Sequence, residues 1–363
     1  MSVHDKSLIA EASEVAASDL AVAIRDATDA DAALWDEYLG TNPAACFYHL
    51  FGWRKIVREN LGLDPIYLIA SSGGIVVGVL PLVYLQSRLF GRILCSMPFL
   101  NYGGPCASTD RALQQLTSAA MERAGQLGVD YLELRCAGAL PVDLVAATHK
   151  VSMTIALDAD PDVLWNGFKS KHRTNVRRAA QEGLEVQSGG AELLDDFYSV
   201  LENSWHHLGT PLYRRDFFES VLTTFPEGTR IFLCRHGSRV VNVAFNGIYG
   251  GTVEGMWAGG LPAARNLHAN YVLYWEMIRD SCQRGYRNFH LGRSTADSGS
   301  EWFKGRWNAE ARPLFWYFHR PGGGPMPALN VDNPRYRLAI AAWRRMPLWL
   351  VRRLGPPLAR CIP

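Results

Sequence analysis

The strongest constraint on the fold of this chain is an internal repeat with an offset of roughly 165 residues. Leu39-Gly-Thr-Asn-Pro43 leads into an aromatic helical stretch, and Leu208-Gly-Thr-Pro211 leads into another one 169 residues (208 − 39) later. In each half, two apolar strands joined by a turn follow, beginning at Ile66 and at Ile231. Similar elements at a nearly constant offset indicate two copies of one α/β unit.

Glycines mark the turns and the helix ends of both copies. Ser72-Gly73-Gly74 and His236-Gly237-Ser238 separate β-rich runs and predict hairpin turns. Gly128 and Gly285 stand where a helix should end, and each suits a left-handed C-terminal cap. Each unit is therefore predicted to run strand, helices, antiparallel strands, helix, strand.

That order of elements is the order of the acyl-CoA N-acyltransferase (GNAT) fold. In this fold two central parallel strands splay apart, and the helix that follows presents free backbone N–H groups to the phosphates of a donor. We predict an α/β (α+β) protein with two tandem GNAT-like domains, mixed sheets and a C-terminal amphipathic tail. The predicted limits are a disordered N-terminus over 1–20, domains over 21–150 and 151–325 with a basic helix 162–182 at their border, and a tail over 331–363.

Composition excludes several classes of protein. The chain has 37 Lys+Arg against 35 Asp+Glu, so a basic nucleic-acid coat over the whole molecule is excluded. Seven cysteines form no C-x-x-C pair, and their number is odd, which indicates buried thiols in a reducing compartment. Without a signal segment or a run of ~18 apolar residues, the sequence predicts a cytoplasmic protein. The adjacent pair His206-His207 lacks further ligands at suitable spacing, so no metal site is expected.

The C-terminal tail is strongly basic. Over 331–363 seven arginines stand against Asp332, which gives a net charge of +6, and they alternate with Trp and Leu residues. Such a mixture suits the plane of an anionic membrane surface and predicts peripheral contact with the inner face of the cytoplasmic membrane. A helix docked on its own domain with its arginines in water explains the pattern equally well, and Pro347 breaks the helix.

The start of the last long helix, near Asn270, is a candidate donor site. An acyl-CoA enzyme of this fold has a glycine-rich loop there, whereas this chain has Arg265 and no glycine in the next three residues. Arg265 and Asn270 are therefore candidate phosphate contacts, with a simple strand-to-helix connection capped by Asn270 as the alternative. On the preceding strand, Trp257 is a candidate substrate contact and Glu254 a candidate general base.

A lone lysine between aromatic residues is the strongest candidate for chemistry. Lys304 follows Trp302 and Phe303 in a segment expected near the open end of the sheet, downstream of Arg293. A lysine held against aromatic surface is partly desolvated and can stabilise an oxyanion or a phosphate more strongly than an exposed one. A surface lysine on a short amphipathic helix is the alternative.

Two further segments are candidate substrate contacts. In the basic stretch 169–178, Lys171, Asn175 and Arg178 share a helix face that suits phosphates, although a charge run is more often a solvated helix face. Arg173 belongs to the same stretch. In the first half, Tyr102 lies in the glycine-containing loop 99–105 and could stack on a ligand, with a tight turn as the alternative.

Several motifs together resemble the FemAB-type peptidyltransferases. NYVLYWEMIRDSCQRGYRNFHLGRS, SGSEWFKGRWN and RPLFWYFHR look like the C-terminal signature of the family, and KHRTNVRRAAQEGLEV resembles its basic helix. PFLNYGGP and HHLGTPLY look like the branch found beside exosortase (PEP-CTERM) and exopolysaccharide gene clusters. The resemblance extends over about residues 20–355.

The resemblance implies an active cleft at the second domain and its border. Classical members transfer an amino acid from aminoacyl-tRNA to an amine of a peptidoglycan precursor, and their phenylalanine–lysine pair corresponds to Phe303-Lys304. The resemblance implies that Lys304 stabilises the tetrahedral oxyanion or the charge of the donor. It also implies that Arg173 and Arg178 contact the phosphate of the precursor. The coiled-coil arm of some tRNA-using members is absent, and Ala309 replaces a usual glycine. The donor therefore stays open between aminoacyl-tRNA and acyl-CoA, and no permanently bound cofactor is expected.

Two functions compete on these grounds. The first is an N-acyltransferase that moves an aminoacyl or acyl group to an amine of a lipid-linked cell-envelope precursor, of peptidoglycan or of exopolysaccharide. The second is a non-catalytic GNAT-like module that binds a lipid-linked glycan and recruits assembly enzymes. The near-neutral charge outside the tail disfavours a third, a protein that only binds tRNA.

Overall fold

A computed structural model describes residues 21–87, 90–324 and 334–362, and of 334–337 it describes the backbone alone. The stretch 1–20, predicted to be disordered, lies outside the described residues, as do the first residues of the predicted tail, 331–333.

The first half of the chain contains seven described strands and three α-helices. The strands are β1 (Val22–Asp26), β2 (Asp64–Ser72), β3 (Ile75–Ser87), β4 (Gly91–Ser96), β5 (Cys106–Ala107), β6 (Tyr131–Cys136) and β7 (Val145–Ala156). The helices are α1 (Ala32–Thr41), α2 (Gly52–Leu61) and α3 (Asp110–Leu127). The predicted domain border near Lys150 lies inside β7, and the domain limits stay a prediction.

The second half repeats this order and adds the tail. Its strands are β8 (Leu184–Gly189), β9 (Thr229–His236), β10 (Arg239–Tyr249), β11 (Thr252–Gly260), β12 (Asn288–Thr295) and β13 (Glu310–His319). Its helices are α4 (Pro161–Gly167), α5 (Ser170–Ala180), α6 (Leu194–Leu208), α7 (Arg215–Thr224), α8 (Ala269–Gln283) and α9 (Gly299–Gly305), and the tail forms α10 (Pro334–Arg345) and α11 (Leu348–Ala359).

The basic segment is two helices, so the prediction of one helix over 162–182 is wrong. Between α4 and α5, Phe168 has an extended backbone (φ −72°, ψ 147°). Its buried ring packs edge-on against Trp307 and Trp275, with ring centroids 5.5 and 6.0 Å apart. Burying this aromatic side chain in the core outweighs the continuation of the helix, whose propensity is only a weak preference.

The described strands form one sheet with an internal symmetry. The order is β1-β2-β3-β4-β6-β13-β7-β12-β11-β10-β9-β8, with β5 added beside β3. Read from the two ends, this order pairs β1 with β8, β2 with β9, β3 with β10, β4 with β11 and β6 with β12. The fold therefore contains the predicted tandem repeat of a mixed α/β unit.

The two halves exchange their last strands at the centre of the sheet. β7, the last strand of the first half, pairs antiparallel with β12 of the second, and β13, the last strand of the second half, pairs antiparallel with β6 of the first. β7 and β13 also pair with each other. Each half thus contributes its last strand to the sheet of the other half, and the sheet continues across the centre without a break.

Alternating side chains place the helices on both faces of this sheet. Ile69 of β2 and Leu233 of β9 point into one core that α1, α2, α6 and α7 share across both halves. Their neighbours Leu68 and Phe232 point to the opposite face, where they pack under α3 and α8 respectively. This alternation with a period of two is what a sheet buried on both faces requires.

The local signals of the sequence are found where they were predicted. Gly128 and Gly285 follow α3 and α8 with φ of 58° and 75°, as left-handed helix caps. The Gly73-Gly74 and Gly237 turns connect β2 to β3 and β9 to β10, with positive φ at each glycine. Pro347 separates α10 from α11.

The tail helices pack on the second half. Trp343 and Val351 are buried, and Arg344 donates a hydrogen bond to the Leu208 carbonyl (3.0 Å). Arg352 forms a bidentate ion pair with the buried Glu202, with both N···O distances at 2.8 Å. This is the arrangement of a docked helix. No helix within the described ranges has both the length and the apolar character needed to cross a bilayer.

Candidate functional site

The centre of the second half contains two parallel strands that part. β11 and β12 pair only from Thr252 to Glu254 and from Asn288 to His290. Beyond this point β11 continues beside β10, and β12 continues beside β7. The parting strands open a gap in the sheet, as the predicted fold class requires.

Two glycines stand at the point where the strands separate. A Cβ atom added to Gly292, which has φ +77°, would lie 2.8 Å from the Gly255 carbonyl oxygen. A Cβ added to Gly255 would lie 3.0 Å from the His290 carbonyl oxygen. The close backbone approach therefore excludes side chains at both positions, and it makes the backbone of β12 bend away from β11.

The equivalent gap in the first half is filled by protein. β4 and β6 pair in parallel only from Ile93 to Cys95, and the loop 97–105 closes over them. The buried Arg135 donates hydrogen bonds from its Nη1 to the carbonyls of Pro98 and Leu100 and forms an ion pair with buried Glu133 (2.6 Å). The same loop carries Asn101, which reaches the open gap of the second half.

A cavity of about 410 Å³ lies in that open gap. Its walls come from β10–β12, from α8 and α9, from the loop of the first half and from the end of α11. The lining of the cavity includes Asn101, Tyr213, Asn246, Trp257, Arg293 and Lys304. Trp257 and Arg293 are thus placed at the cavity where the sequence predicted substrate contacts.

Lys304 projects from the short helix α9 into this cavity. Ser298 caps the start of the helix, and its hydroxyl accepts a hydrogen bond from the Glu301 N–H (3.2 Å). The Lys304 Nζ donates to the carbonyls of Gly292 (2.8 Å) and Arg293 (3.0 Å), and the side chain is 6% exposed. Burial, and next the charge of Arg293, lower the pKa of Lys304 to about 8.

Arg293 places a second cation beside Lys304. Its Nη1 donates to the Leu100 carbonyl (3.4 Å), and its guanidinium lies 5.4 Å from the centre of the Trp316 ring. Burial, and next the charge of Arg135, lower the pKa of Arg293 to about 10. Among the described residues, no carboxylate forms an ion pair with Lys304 or Arg293. This wall of the cavity therefore favours a negatively charged group.

Glu254 lies behind the cavity wall in a cluster formed by both halves. The Tyr102 hydroxyl donates to Glu254 Oε1 (2.5 Å), and the Tyr48 hydroxyl donates to Oε2 (3.3 Å). His290 Nδ1 lies 3.5 Å from Oε2. Burial raises the pKa of Glu254 to about 8, and burial lowers the pKa of His290 to about 4. Glu254 is 1% exposed and does not line the cavity, so it has no direct contact with a ligand there.

Asn101 connects this cluster to the cavity. Its Nδ2 donates to the Tyr48 hydroxyl (2.8 Å) and to the Gly255 carbonyl (3.3 Å), while the residue lines the cavity. Tyr102, predicted to stack on a ligand, instead directs its hydroxyl to Glu254 and is buried away from the cavity. Its nearest ring contacts are Tyr48 (5.1 Å) and His290 (5.4 Å).

A second cavity of about 410 Å³ opens at the start of α8. Arg265, Asn270 and Phe303 line it, so Phe303 faces away from the cavity that its neighbour Lys304 lines. Asn270 lies inside the helix and accepts a hydrogen bond from Asn242 Nδ2 (2.5 Å), so it is not the cap that the sequence suggested as an alternative. The helix starts after His268, without a side-chain cap.

The basic helix α5 lies against α8 rather than at the open gap. Lys171 and Arg178 are exposed and Asn175 is half-buried. Arg173 folds back, and its Nη1 donates to the carbonyls of Asn166 (2.9 Å) and Phe168 (2.8 Å). None of these four residues lines either cavity described above.

Sequence reasoning missed several residues that the structure brings to the site. Asn246, 2% exposed on β10, lines the cavity, and within the described ranges its Nδ2 donates only to the sulfur of Met277 (3.5 Å). Tyr48 reaches Glu254 across 206 positions of sequence. A usable signal existed for Glu133 and Arg135, because two opposite charges in the apolar strand YLELRC indicate a buried ion pair.

Comparison with known proteins agrees with this architecture. Residues 169–305 match the family described as the acetyltransferase (GNAT) domain. FemX is similar to the chain in structure, with a TM-score of 0.61, 15% identity, and coverage of 88% of this chain and 100% of that one. A search of curated proteins found no match.

Two further solved structures share the fold. The C-terminal domain of a putative lysylphosphatidylglycerol synthetase from Agrobacterium fabrum has a TM-score of 0.54 and 13% identity, and covers 86% of this chain and 94% of that one. A tandem GNAT protein from the clavulanic acid biosynthesis pathway has a TM-score of 0.52 and 14% identity, with coverage of 85% and 100%. At these identities the likeness concerns the fold.

The fold and the matched domain define the class. The chain has a tandem GNAT-like fold and carries a GNAT acetyltransferase domain in its second half, the half that contains the parted strands and Lys304. A general acyltransferase role follows from this domain, and the particular donor and acceptor belong to the proposal below.

Proposed function

We propose that this protein is an N-acyltransferase of the FemAB type, with its reaction centre in the cavity between β11 and β12. The observation that carries the proposal is the position of Lys304, a 6% exposed ammonium group at parted strands. Its two hydrogen bonds to backbone carbonyls fix the group before a substrate arrives. A cation fixed in this way acts on developing negative charge without further reorganisation.

In the proposed reaction an acceptor amine attacks the carbonyl carbon of an activated acyl group. The amine lone pair forms the new C–N bond, and the carbonyl electron pair moves to oxygen as a tetrahedral oxyanion beside Lys304. Collapse of this intermediate expels the ribose oxygen of tRNA or the thiolate of CoA, and the amine proton neutralises the leaving group. Positioning can supply up to ~7–11 kcal/mol, and one oxyanion donor ~3–4 kcal/mol.

Glu254 acts on the reaction centre through its neighbours and not by direct contact with the substrate. Its carboxyl oxygens are held by Tyr48 and Tyr102, and Tyr48 is held by Asn101 at the cavity. A general-base role would therefore run through a tyrosine hydroxyl. The contacts support a positioning role directly, because the loop of the first half is tied to β11 through this carboxyl group.

The acceptor is proposed to be an amine of a lipid-linked cell-envelope precursor, of peptidoglycan or exopolysaccharide. The FemAB resemblance and the FemX-like fold support this class, and the unpaired cations Lys304 and Arg293 favour a ligand that carries negative charge. Membership of the exosortase branch and a cytoplasmic position stay predictions.

The donor is open between two chemistries. Acyl-CoA is supported by the cavity at the start of α8, which Arg265 lines and where the helix has no side-chain cap. Two features speak against this donor: Asn270 is hydrogen-bonded to Asn242, and no glycine follows Arg265 within three residues. For aminoacyl-tRNA, the exposed Lys171 and Arg178 of α5 offer phosphate contacts. The second candidate function, a non-catalytic module that binds a lipid-linked glycan, is favoured by the missing glycines after Arg265.

A donor screen separates these candidates. Acetyl-CoA and charged tRNA are each added to the protein, and the unfolding temperature and the intact mass of amino-sugar and peptidoglycan-precursor acceptors are measured. A transferase is stabilised by one donor and increases the acceptor mass by the acyl group. Stabilisation by a glycan precursor, without a mass change with any donor, supports the binding module instead.

The Lys304→Ala variant tests the proposed mechanism. We expect turnover to fall by roughly a hundredfold or more, because the oxyanion loses its charged partner. Lys304→Arg should keep part of the rate, and Lys55→Ala, at a lysine whose side chain is 67% exposed, should keep all of it.

In the native protein the rate should decline as the pH rises through about 8, where Lys304 loses its proton. Near-normal transfer by Lys304→Ala in a folded protein would remove Lys304 from the mechanism.

A further inference from the structure

A groove outside the reaction cavity is lined by five arginines. It has a volume of about 740 Å³ and lies between the end of α2, the start of α7 and the outer side of α11. The arginines are Arg214, Arg215, Arg352, Arg353 and Arg360, and Glu59 is the one acidic residue in the lining. Such a concentration of one sign of charge creates a strong local attraction for anions.

Internal ion pairs neutralise only part of this charge. Arg214 pairs with Asp216 (3.0 Å), Arg215 with both Asp195 (2.6 Å) and Glu219 (2.9 Å), and Arg352 with Glu202. Within the described part of the chain, no carboxylate pairs with Arg353 or Arg360. Arg214 and Arg215 also stand at the start of α7, where the helix dipole disfavours cations. Ion pairs of the fold explain Arg214, Arg215 and Arg352, whereas none among the described residues explains Arg353 or Arg360.

The outer side of α11 continues the groove as a stripe. Trp349, Arg353, Pro357 and Arg360 follow each other at spacings of four, four and three, so they share one helix face, while Val351, Gly355 and Ala359 are buried on the opposite one. Trp349 is 65% exposed although it is the largest apolar side chain of the helix. A tryptophan ring is favoured at the level of the lipid headgroups, and arginines are attracted to an anionic lipid surface.

We propose that this stripe and the arginine groove form a docking surface for an anionic phospholipid membrane, with lipid phosphates in the groove. The groove adjoins the reaction cavity, because Tyr213 lines both. Docking therefore brings the cavity to the lipid surface. The proposal does not depend on transferase activity, since its test measures binding alone.

Sedimentation with vesicles tests the docking surface. The full chain is mixed with vesicles of phosphatidylcholine alone, or with phosphatidylcholine and phosphatidylglycerol at about 70:30, at low and at high salt. We expect binding to the anionic vesicles only, and weaker binding at high salt. Equal binding to both vesicle types, or binding to neither, would overturn the proposal.

Charge and tryptophan variants locate the surface on the protein. One basic residue near an anionic surface contributes about fivefold in binding, so Arg353→Glu should weaken it about twenty-five-fold. Trp349→Ala should weaken it at least about threefold. The matched controls are Arg239→Glu, at the exposed first residue of β10, and Trp302→Ala, whose side chain is also 65% exposed. Both variants should bind as the native protein does.

A soluble ligand is the competing source of phosphate. Inorganic diphosphate is therefore titrated against the native protein and Arg353→Glu, with the unfolding temperature as the readout. Stabilisation that needs Arg353, in a protein that does not bind vesicles, would assign the groove to a soluble phosphate compound and overturn membrane docking. Vesicle binding that both Arg353→Glu and Trp349→Ala retain in full would overturn it as well.

Discussion

At the scale of single residues, Glu254 is the group that the fold alters most clearly. Its carboxyl group is 1% exposed and is held between two tyrosine hydroxyls from the first half, with His290 beside it. Burial raises its pKa from 4.5 to about 8, so the native protein keeps this proton at pH values where an unfolded chain releases it. The neutral acid can remain in the core without an ion pair.

This proton makes stability depend on pH. Between about pH 4.5 and 8 the native state binds more protons than the unfolded state, so the contribution of Glu254 to the free energy of unfolding falls as pH rises. The slope approaches about 1.4 kcal/mol per pH unit. In Glu254→Gln, which keeps the shape and has no proton to lose, this decline should be absent.

Urea unfolding at pH 5.5, 6.5 and 7.5 measures the effect. From each pH to the next higher one, the free energy of unfolding of Glu254→Gln should rise relative to that of the native protein. Glu185→Gln, at an exposed glutamate, should show the same pH dependence as the native protein. Parallel curves for Glu254→Gln and the native protein would show that Glu254 is ionised in the native state.

At the scale of elements, the separation of β11 and β12 creates the site. Three residue pairs hold the strands together, and then Gly292, at φ +77°, turns β12 away while Lys304 bonds to the Gly292 carbonyl. The lysine and the bend thus support each other. A strand that continued in register beside β11 would close the cavity.

Gly292→Ala tests the bend. The new Cβ would meet the Gly255 carbonyl oxygen at 2.8 Å, and a positive φ is strained for alanine, so we expect a loss of about 1–3 kcal/mol in the free energy of unfolding together with reduced transfer. Gly299→Ala, at a helical glycine with nothing within 4 Å of the added Cβ, is the control. Equal stability of the two variants would mean that the bend is not a backbone requirement.

At the scale of the whole molecule, the exchange of β7 and β13 joins the two halves. β6 of the first half has no strand of its own half on its outer side, and it pairs there with Phe315–His319 of β13. The buried Leu132 and Leu134 of β6 lie next to this partner. A half separated from the other would therefore expose an unpaired apolar strand edge.

A fragment over 21–144 should accordingly fail to unfold cooperatively. Differential scanning calorimetry of this fragment, of the fragment 145–362 and of their co-expressed mixture measures this, and we expect a cooperative transition in the mixture that the first fragment lacks. If 21–144 alone melts cooperatively near the temperature of the full chain, the exchanged strands are not needed for the first half to fold.

The repeat, the order of elements and the fold class could be predicted from the amino-acid sequence, because they depend on local patterns of residues. Gly128 and Gly285 end their helices as predicted, since a left-handed cap needs only a glycine at the right place. The same holds for the break at Pro347, because proline has no N–H group for the helical hydrogen bond, although α11 accommodates Pro356 and Pro357 near its end. Lys304 was found as a candidate because aromatic neighbours and a resemblance marked it.

The partners of these residues came from packing across long separations. Tyr48 and Glu254 are 206 positions apart, and no local pattern connects them. Phe303 and Lys304 are neighbours in sequence, yet the helix turns them toward different cavities. Tyr102 turns to a buried acid, because a buried polar group must find its partner wherever the assembled sheet provides one. Arg173 instead bonds to backbone carbonyls close to it in sequence. Local patterns decide which elements form, whereas the exchange of strands between halves decides which side chains meet.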